Sequence, residues 1–379
     1  MRFTSPVSSV KRAVSFVRDI VPSRAVSKES SGILIEAFNG RVVFSASGGD
    51  VVMKVSIPAE VIEEGAAVVG SAMFSNVAST FLPFNMEEGT GTKDIDFRIN
   101  SKSKTVVIES ATVYKGGNKV SNKRTVPLLN SEFFPQLPKY NSKESFRFPG
   151  PIFKESIEKT LYAARASDDG DPLSGILVCA SGGAYTAVAT DGVKLAEYTC
   201  SVDPTISFQA ILPTKFAAKV AKSIDPSEDV NILFSKNVFW VSSPGVLTGG
   251  SVLVGSYPDY KALLKPTTGE AIVDRRVLLD NVRNLDFVDV DDNRMTMKLG
   301  GGKLSTFTEV ARNDDIDTSF DGTFEVDFNV RLLKASLQVC EGDKVAIRFL
   351  TSTSPVFFFS VNSTENEPTF SSMLVPLNR

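Results

Sequence analysis

Residues Phe208 to Pro226, FQAILPTKFAAKVAKSIDP, decide how the chain folds. The stretch predicts a short apolar strand over Phe208 to Leu212, a proline, one amphipathic helix and a stop. Pro213 suits the first turn of a helix, where its missing N–H would have no partner anyway. At about 100° per residue, Phe216, Ala217, Val220, Ala221 and Ile224 fall on one face. Lys215, Lys219 and Lys222 lie opposite, within roughly 60° of one another. Asp225-Pro226 closes the element. On a lone helix three lysines mean only a solvated face, but this unit recurs.

Five other segments repeat strand, punctuation and helix: RFTSPVSSVKRAVSFVRDIV from Arg2, VVGSAMFSNVASTFLPF from Val68, FRFPGPIFKESIEKTLYAA from Phe146, AIVDRRVLLDNVRNLDFV from Ala271 and FEVDFNVRLLKASLQVC from Phe324. With the copy from Phe208, successive starts lie 53 to 78 residues apart. Such spacing marks a duplicated unit. Alternating or β-branched material follows each helix, with hairpin turns expected at Asn39-Gly40, Gly116-Gly117 and Gly182-Gly183. A coarser period pairs the units. RTVPLLNSEFFPQLP (Arg124 to Pro138) resembles SVLVGSYPDYKALLKP (Ser251 to Pro266), and MLVPLNR repeats its first half. Three domains follow, at 1–140, 141–266 and 267–379, each with two helices on a curved antiparallel sheet. The fold class is α+β.

Charge is uneven on the helices of a chain whose net charge is −3. The first helix carries Lys11, Arg12 and Arg18, the fifth Arg276 and Arg283 diluted by Asp280, the sixth Arg331 and Lys334. The third mixes Lys154 and Lys159 with Glu155 and Glu158, and the second carries no charge. Four of six helices are therefore basic on the outer face, while acid collects in Asp286 to Asp292 and Asp314 to Asp321. A polyanion site here comes from segregated charge and not from an excess of it.

At 42% hydrophobic and 22% charged residues the chain reads as a soluble globular protein. It contains no histidine, which removes Ser-His-Asp and Cys-His catalysis and histidine metal sites. No GxxxxGK[ST] phosphate loop occurs. Asp289-Val290-Asp291-Asp292-Asn293 hints at a calcium loop, but Arg294 stands where glycine is required, so an acidic loop is expected and no metal. Cys179, Cys200 and Cys340 form no CxxC and fit a reducing cytoplasm. No apolar run is long enough for a membrane helix. The basic, serine-rich start has the look of a transit peptide but reads better as the first strand and helix. An enzyme is not expected, nor any cofactor.

AVATDGVKLAEY (Ala187 to Tyr198) resembles the "ATDG(H/R)(R/K)LA" segment of bacterial DNA polymerase III β sliding clamps, the replication processivity factors. GSYPDYKALL (Gly255 to Leu264) is similar to their "G(R/K)(F/Y)PDY" segment, ILPTKFAAKVAKSI to their "vPrK" helix, MLVPLNR to their "yvvMPmrl" tail, and MRFT to their start. The resemblance runs in order over the whole chain. It implies a non-enzymatic ring of six clamp domains, a head-to-tail homodimer with helices lining the hole and sheets outside. Partners implied are double-stranded DNA, held without reading sequence, and DNA polymerase and clamp loader, held through linear peptides. The implied location is cytoplasmic, at the replisome or in the host cytoplasm of a phage.

By that resemblance, duplex contacts fall to Arg24, Lys215, Lys219 and Lys222, with Lys11, Arg18, Arg276, Arg283, Arg331 and Lys334 on the other basic helices. The family's basic residue in the second helix aligns with Ala72 or Met73. An apolar peptide cleft is implied at Leu173, Thr190, Gly192, Val193, Leu195, Pro258, Leu263, Val375, Pro376 and Leu377. Val193, Ala262 and Asn378 replace basic or histidine residues there, which predicts a greasier cleft. Asp171 and Pro172 replace an aromatic pair, a departure that with Ala72 or Met73 counts against duplex contact in the first two domains. A dimer contact is implied between the strand carrying Lys119, Lys123 and Arg124 and the segment carrying Asp286, Phe287 and Asp289. The repeats alone leave a second reading open, a non-ring protein-interaction scaffold that binds no DNA.

Overall fold

A computed structural model describes residues 1–22, 27, 29–81, 85, 88–100, 102–167, 169–235, 237–264, 267–286, 293–361 and 369–377. Each expected unit is a strand running directly into a helix. Arg2–Pro6 leads into α1 (Val7–Arg18), Gly65–Gly70 into α2 (Ser71–Ser79), and Phe146–Phe148 into α3 (Gly150–Thr160). Phe208–Pro213 leads into α4 (Thr214–Ser223), Gly269–Asp274 into α5 (Arg275–Asp286), and Phe324–Asn329 into α6 (Val330–Val339). Pro213 thus ends its strand and sits one residue ahead of α4. Asn329 caps α6 by accepting the N–H groups of Arg331 and Leu332 at 3.0 and 3.3 Å. Asp274 does the same for α5, accepting from Val277 at 3.0 Å.

The material between helices is antiparallel. Asn39 and Gly40 take φ of 49° and 73°, the left-handed pair that a two-residue hairpin turn needs, between strands Gly32–Phe38 and Arg41–Ser47. Gly182 and Gly183, at 59° and 86°, turn Gly175–Ser181 into Ala184–Thr190 in the same way. The architecture is α+β, as the sequence indicated.

Residues make two compact units, Met1–Pro151 with Lys222–Ser251, and Ile152–Ala221 with Val252–Arg379. The first holds a 13-stranded sheet. In it Val246–Ser251 adds to Val51–Pro58, with Val246 opposite Val55 and Gly250 opposite Val51. Gly249 is required on that strand, because a Cβ there would stand 2.4 Å from the Trp240 ring. The core under the sheet gathers Phe3, Phe44, Phe74 and Phe97 with Val10, Ala13, Val14 and Val17 of α1, and α1 packs beside α2. Phe3 stacks on Phe97 at 4.7 Å.

The second unit holds an 8-stranded and a 4-stranded sheet. Lys194–Ser201 pairs there with Thr369–Leu374, Leu195 opposite Met373 and Glu197 opposite Ser371. Helix α5 packs along α6. Lys159 of α3, 7% exposed, is held by Glu155 and by Glu341 at 2.9 Å. Sequence reading saw only a mixed charge on this helix; Lys159 faces inward because two carboxylates and the rings of Tyr198 and Phe370 compensate its charge. The unit borders differ from the three-repeat division because strand pairing crosses it: strands of the middle repeat extend the first unit's sheet through Val246–Ser251 and the second's through Lys194–Ser201.

Candidate functional sites: a basic helix face and an apolar cleft

The helix that opened the reading keeps its two faces. Phe216, Ala217, Val220, Ala221 and Ile224 are at most 4% exposed. Lys215 and Lys222 are exposed and Lys219 half-buried on the other side. Lys222 pairs with Asp19, just beyond the end of α1. On α1 the Lys11 ammonium donates to the Phe81 carbonyl at 3.0 Å, and Arg18 is exposed in the last turn, where a cation suits the helix dipole.

In α5 and α6 acids accompany the predicted cations. Arg276 lies 3.5 Å from Asp343 and Arg283 3.0 Å from Asp280. Asp286, half-buried at the end of α5, takes Lys334 at 2.5 Å and Arg331 at 3.6 Å. Sequence reading gave Asp286 to a dimer contact; within its own unit it joins α5 to α6. A hollow of about 340 Å³ opens here, lined by Arg275, Arg276, Leu279, Asp280, Arg283 and Gln338. Helix α2 carries no charge and presents Met73, 50% exposed. Arg24, Phe287, Asp289 and Asn378 lie outside the described residues.

The predicted cleft residues lie within the second unit. Its organising device is the turn between Ala184–Thr190 and Lys194–Ser201. Thr190 Oγ1 donates to the Lys194 carbonyl at 2.7 Å and accepts the Gly192 N–H at 3.1 Å. Gly192 takes φ of 93°, a conformation that penalises any side chain. Asp191 accepts the N–H groups of Val193 and Lys194, both at 2.9 Å, and the Lys194 ammonium. Burial alone would raise this carboxyl, but those donors outweigh it and hold it below the usual carboxylate range. The turn is rigid and pushes Val193 outward, 46% exposed.

Val375 stands beside it, its N–H donating to the Val193 carbonyl at 2.8 Å and its side chain 37% exposed. Leu263 is also 37% exposed and Pro258 exposed. Leu195 is fully buried with Val188, Tyr260, Phe357 and Met373, so it is floor and not wall. Pro376 is buried and Leu377 half-buried, its N–H bonded to the Asp327 carbonyl at 2.8 Å. Leu173 sits half-buried in the short 3-10 turn Pro172–Ser174. Asp171 caps that turn, accepting the Leu173 N–H at 2.9 Å while pairing with Arg165. Asp171 therefore has a structural task in this turn.

Sequence reading missed the next part of the same sheet face. The Tyr257 hydroxyl accepts the Thr190 N–H at 3.1 Å and ties the segment after Ser251 to the turn. Beyond it a hollow of about 380 Å³ is lined by Glu197, Leu264, Thr267, Arg348, Phe357, Phe359 and Ser371. Burial raises the Glu197 carboxyl, and Tyr260 and Lys261 oppose that shift. Arg348 lies 4.6 Å above the Phe359 ring and 2.5 Å from Glu270. The available signal was alternation in VFFFS, hidden by three consecutive phenylalanines.

The strand Lys119–Leu129 pairs with Thr105–Val113 along one edge. On its other edge only Leu128 and Leu129 pair with Gly65–Gly70 among the described residues. Lys119, Lys123, Arg124 and Val120 therefore border an open strand edge, with Lys123 3.7 Å from Glu109. Among the described residues no three His, Cys, Asp or Glu side chains group as metal ligands. No helix there is long and apolar enough to cross a membrane.

Residues 148–259 match the family description "DNA polymerase III beta subunit, central domain". The beta sliding clamp of Rickettsia felis is 22% identical over 367 residues, covering 91% of this chain and 92% of that protein. That of Bacillus subtilis is 22% identical over 398 residues, covering 100% and 99%. Along nearly its whole length the chain is similar to beta sliding clamps. Solved clamps share its fold over their whole length. The Pseudomonas aeruginosa sliding clamp, solved with griselimycin bound, superposes with a TM-score of 0.87 at 18% identity, covering all of both chains. The Bacillus subtilis clamp gives 0.86 at 19% identity, covering 100% and 99%. The six strand–helix units are thus the repeats of the clamp fold.

Proposed function

We propose that the protein is a DNA sliding clamp, a replication processivity factor that closes around duplex DNA and tethers a polymerase to it. The observation that carries this reading is the six-fold strand–helix unit, running the length of a chain similar throughout to solved clamps. Two copies would join head to tail as a ring of six domains, with borders near 1–140, 141–266 and 267–379. Helix faces bearing Lys215, Lys219, Lys222, Lys11, Arg18, Arg276, Arg283, Arg331 and Lys334 would meet phosphates. Such contacts are blind to sequence, which suits a ring that slides.

The polymerase and the clamp loader would dock linear peptides on Val193, Leu263, Pro258 and Val375, over the Leu195 floor. Lys119, Lys123 and Arg124 on their open strand edge would face the partner copy. The protein would work in the cytoplasm without catalytic residues or cofactors. A ring held by topology stays on nicked circular DNA after loading and leaves when the circle is cut. Retention measured before and after linearisation tests the reading: loss at the same rate from both forms refutes it. An interaction scaffold without DNA binding predicts that refuting result.

A further inference from the structure

We propose that Asp19, Asp280, Asp286 and Asp343 are stand-ins for DNA phosphates on the basic helix faces. Duplex binding then exchanges one anion for another on cations that are already paired. This rests on the reading that these faces meet DNA. Six of the cations assigned to that role have a named partner inside their own unit. Lys11 holds a carbonyl, Lys222 holds Asp19, Arg276 holds Asp343, Arg283 holds Asp280, and Arg331 and Lys334 share Asp286.

Exposed ion pairs add little to a fold, because water screens them and ordering two long side chains is costly. Here Asp280, Asp343 and Asp19 have side chains 67%, 81% and 44% exposed, so their pairing is open to competition. The hollow beside Asp280 gathers Arg275, Arg276 and Arg283 around one carboxylate, room and charge for a phosphate oxygen to enter as the carboxylate swings out. A cation that neutralises a phosphate releases counterions from the duplex, but a displaced carboxylate returns a negative charge beside it. The net gain per contact falls, and so does the dependence on salt. A ring built this way grips weakly at every step, which favours sliding.

The test measures binding of a short fluorescent duplex by the full-length protein across a salt series. The variants are Asp19→Asn, Asp280→Asn and Asp343→Asn combined, Asp286→Asn alone, and Asp317→Asn as a control. Asp317 is an exposed acid on the 4-stranded sheet, paired with Lys303 and with none of the helix cations. The combined variant is expected to bind several-fold tighter at low salt. Its slope of log affinity against log salt should steepen by up to about 0.9 for each freed cation. The control should move neither quantity. Unchanged affinity and slope in the combined variant overturn the proposal even if Asp286→Asn fails to fold. An equal gain in the control also overturns it, by showing a bulk-charge effect. If the unaltered protein and every variant ignore the duplex at the lowest salt, the DNA-facing reading itself fails, and this proposal with it.

Discussion

The backbone N–H of Val375 donates to the carbonyl of Val193 at 2.8 Å, and both side chains remain more than a third exposed. Two distant stretches of sequence thereby place a pair of apolar side chains side by side on one rim. Replacing Val193 or Val375 by aspartate puts a charge where a peptide would bury apolar surface. Affinity for a clamp-type pentapeptide should fall about tenfold or more, equivalent to at least about 1.4 kcal/mol. Thermal stability should be almost unchanged, since neither side chain is in the core. Fluorescence titration beside a melting curve checks both halves.

Neutralising Lys215, Lys219 and Lys222 together to glutamine should shorten retention on nicked circular DNA and leave the helix content unchanged. The apolar face, Phe216 to Ile224, holds that helix in place without them. Circular dichroism that showed a lost helix would mean the lysine face is structural.

Lys119, Lys123 and Arg124 border the open strand edge, so reversing all three to glutamate should weaken self-association. Dimer dissociation in the unaltered protein should rise with salt, because exposed charge pairs are screened over about 10 Å at 0.1 M. Sedimentation equilibrium at low and high salt reads both effects. A salt-independent dimer would assign the contact to apolar packing.

Phe97 is 1% exposed, stacked on Phe3 and edge-on to Phe74 at 6.0 Å. Truncation to alanine should cost about 3–5 kcal/mol, because the sheet and α1 cannot both collapse into the void. Urea unfolding of the first unit's signal measures it.

Burial, with Glu155 nearby, pushes the Cys200 thiol up to about 11. Burial also pushes Cys340 up to about 12, only partly opposed by Arg275. The thiolate is the nucleophile, so at pH 8 roughly one Cys200 in a thousand is reactive. Alkylation of both should be slow in the native protein and should quicken about tenfold per pH unit up to those values. Mass spectrometry over a pH series follows it. Asp191 behaves oppositely. Its carboxyl lies below the usual range when folded, so it stabilises the fold above the unfolded value near 3.8. That stability is lost as pH falls through the folded value, and Asp191→Asn should flatten this acid limb.

The chain's pattern by itself determined the repeating unit. Apolar residues at helical spacing, the glycine and asparagine turns and the β-branched runs are local signals, and every one of the six helices forms where they indicate. The Thr190 to Lys194 turn is equally local, since it is closed by its own residues. Only the tertiary structure decided what each charged side chain does. Lys159, one charge among four on a mixed helix, is buried against Glu341, 182 residues away in sequence. Asp286 joins two helices. The two compact units cut through the middle repeat because an edge strand pairs with whichever backbone edge is presented to it, whatever repeat that edge belongs to. Period reports which face of an element is apolar; what lies opposite that face is a matter of contacts far apart in the chain.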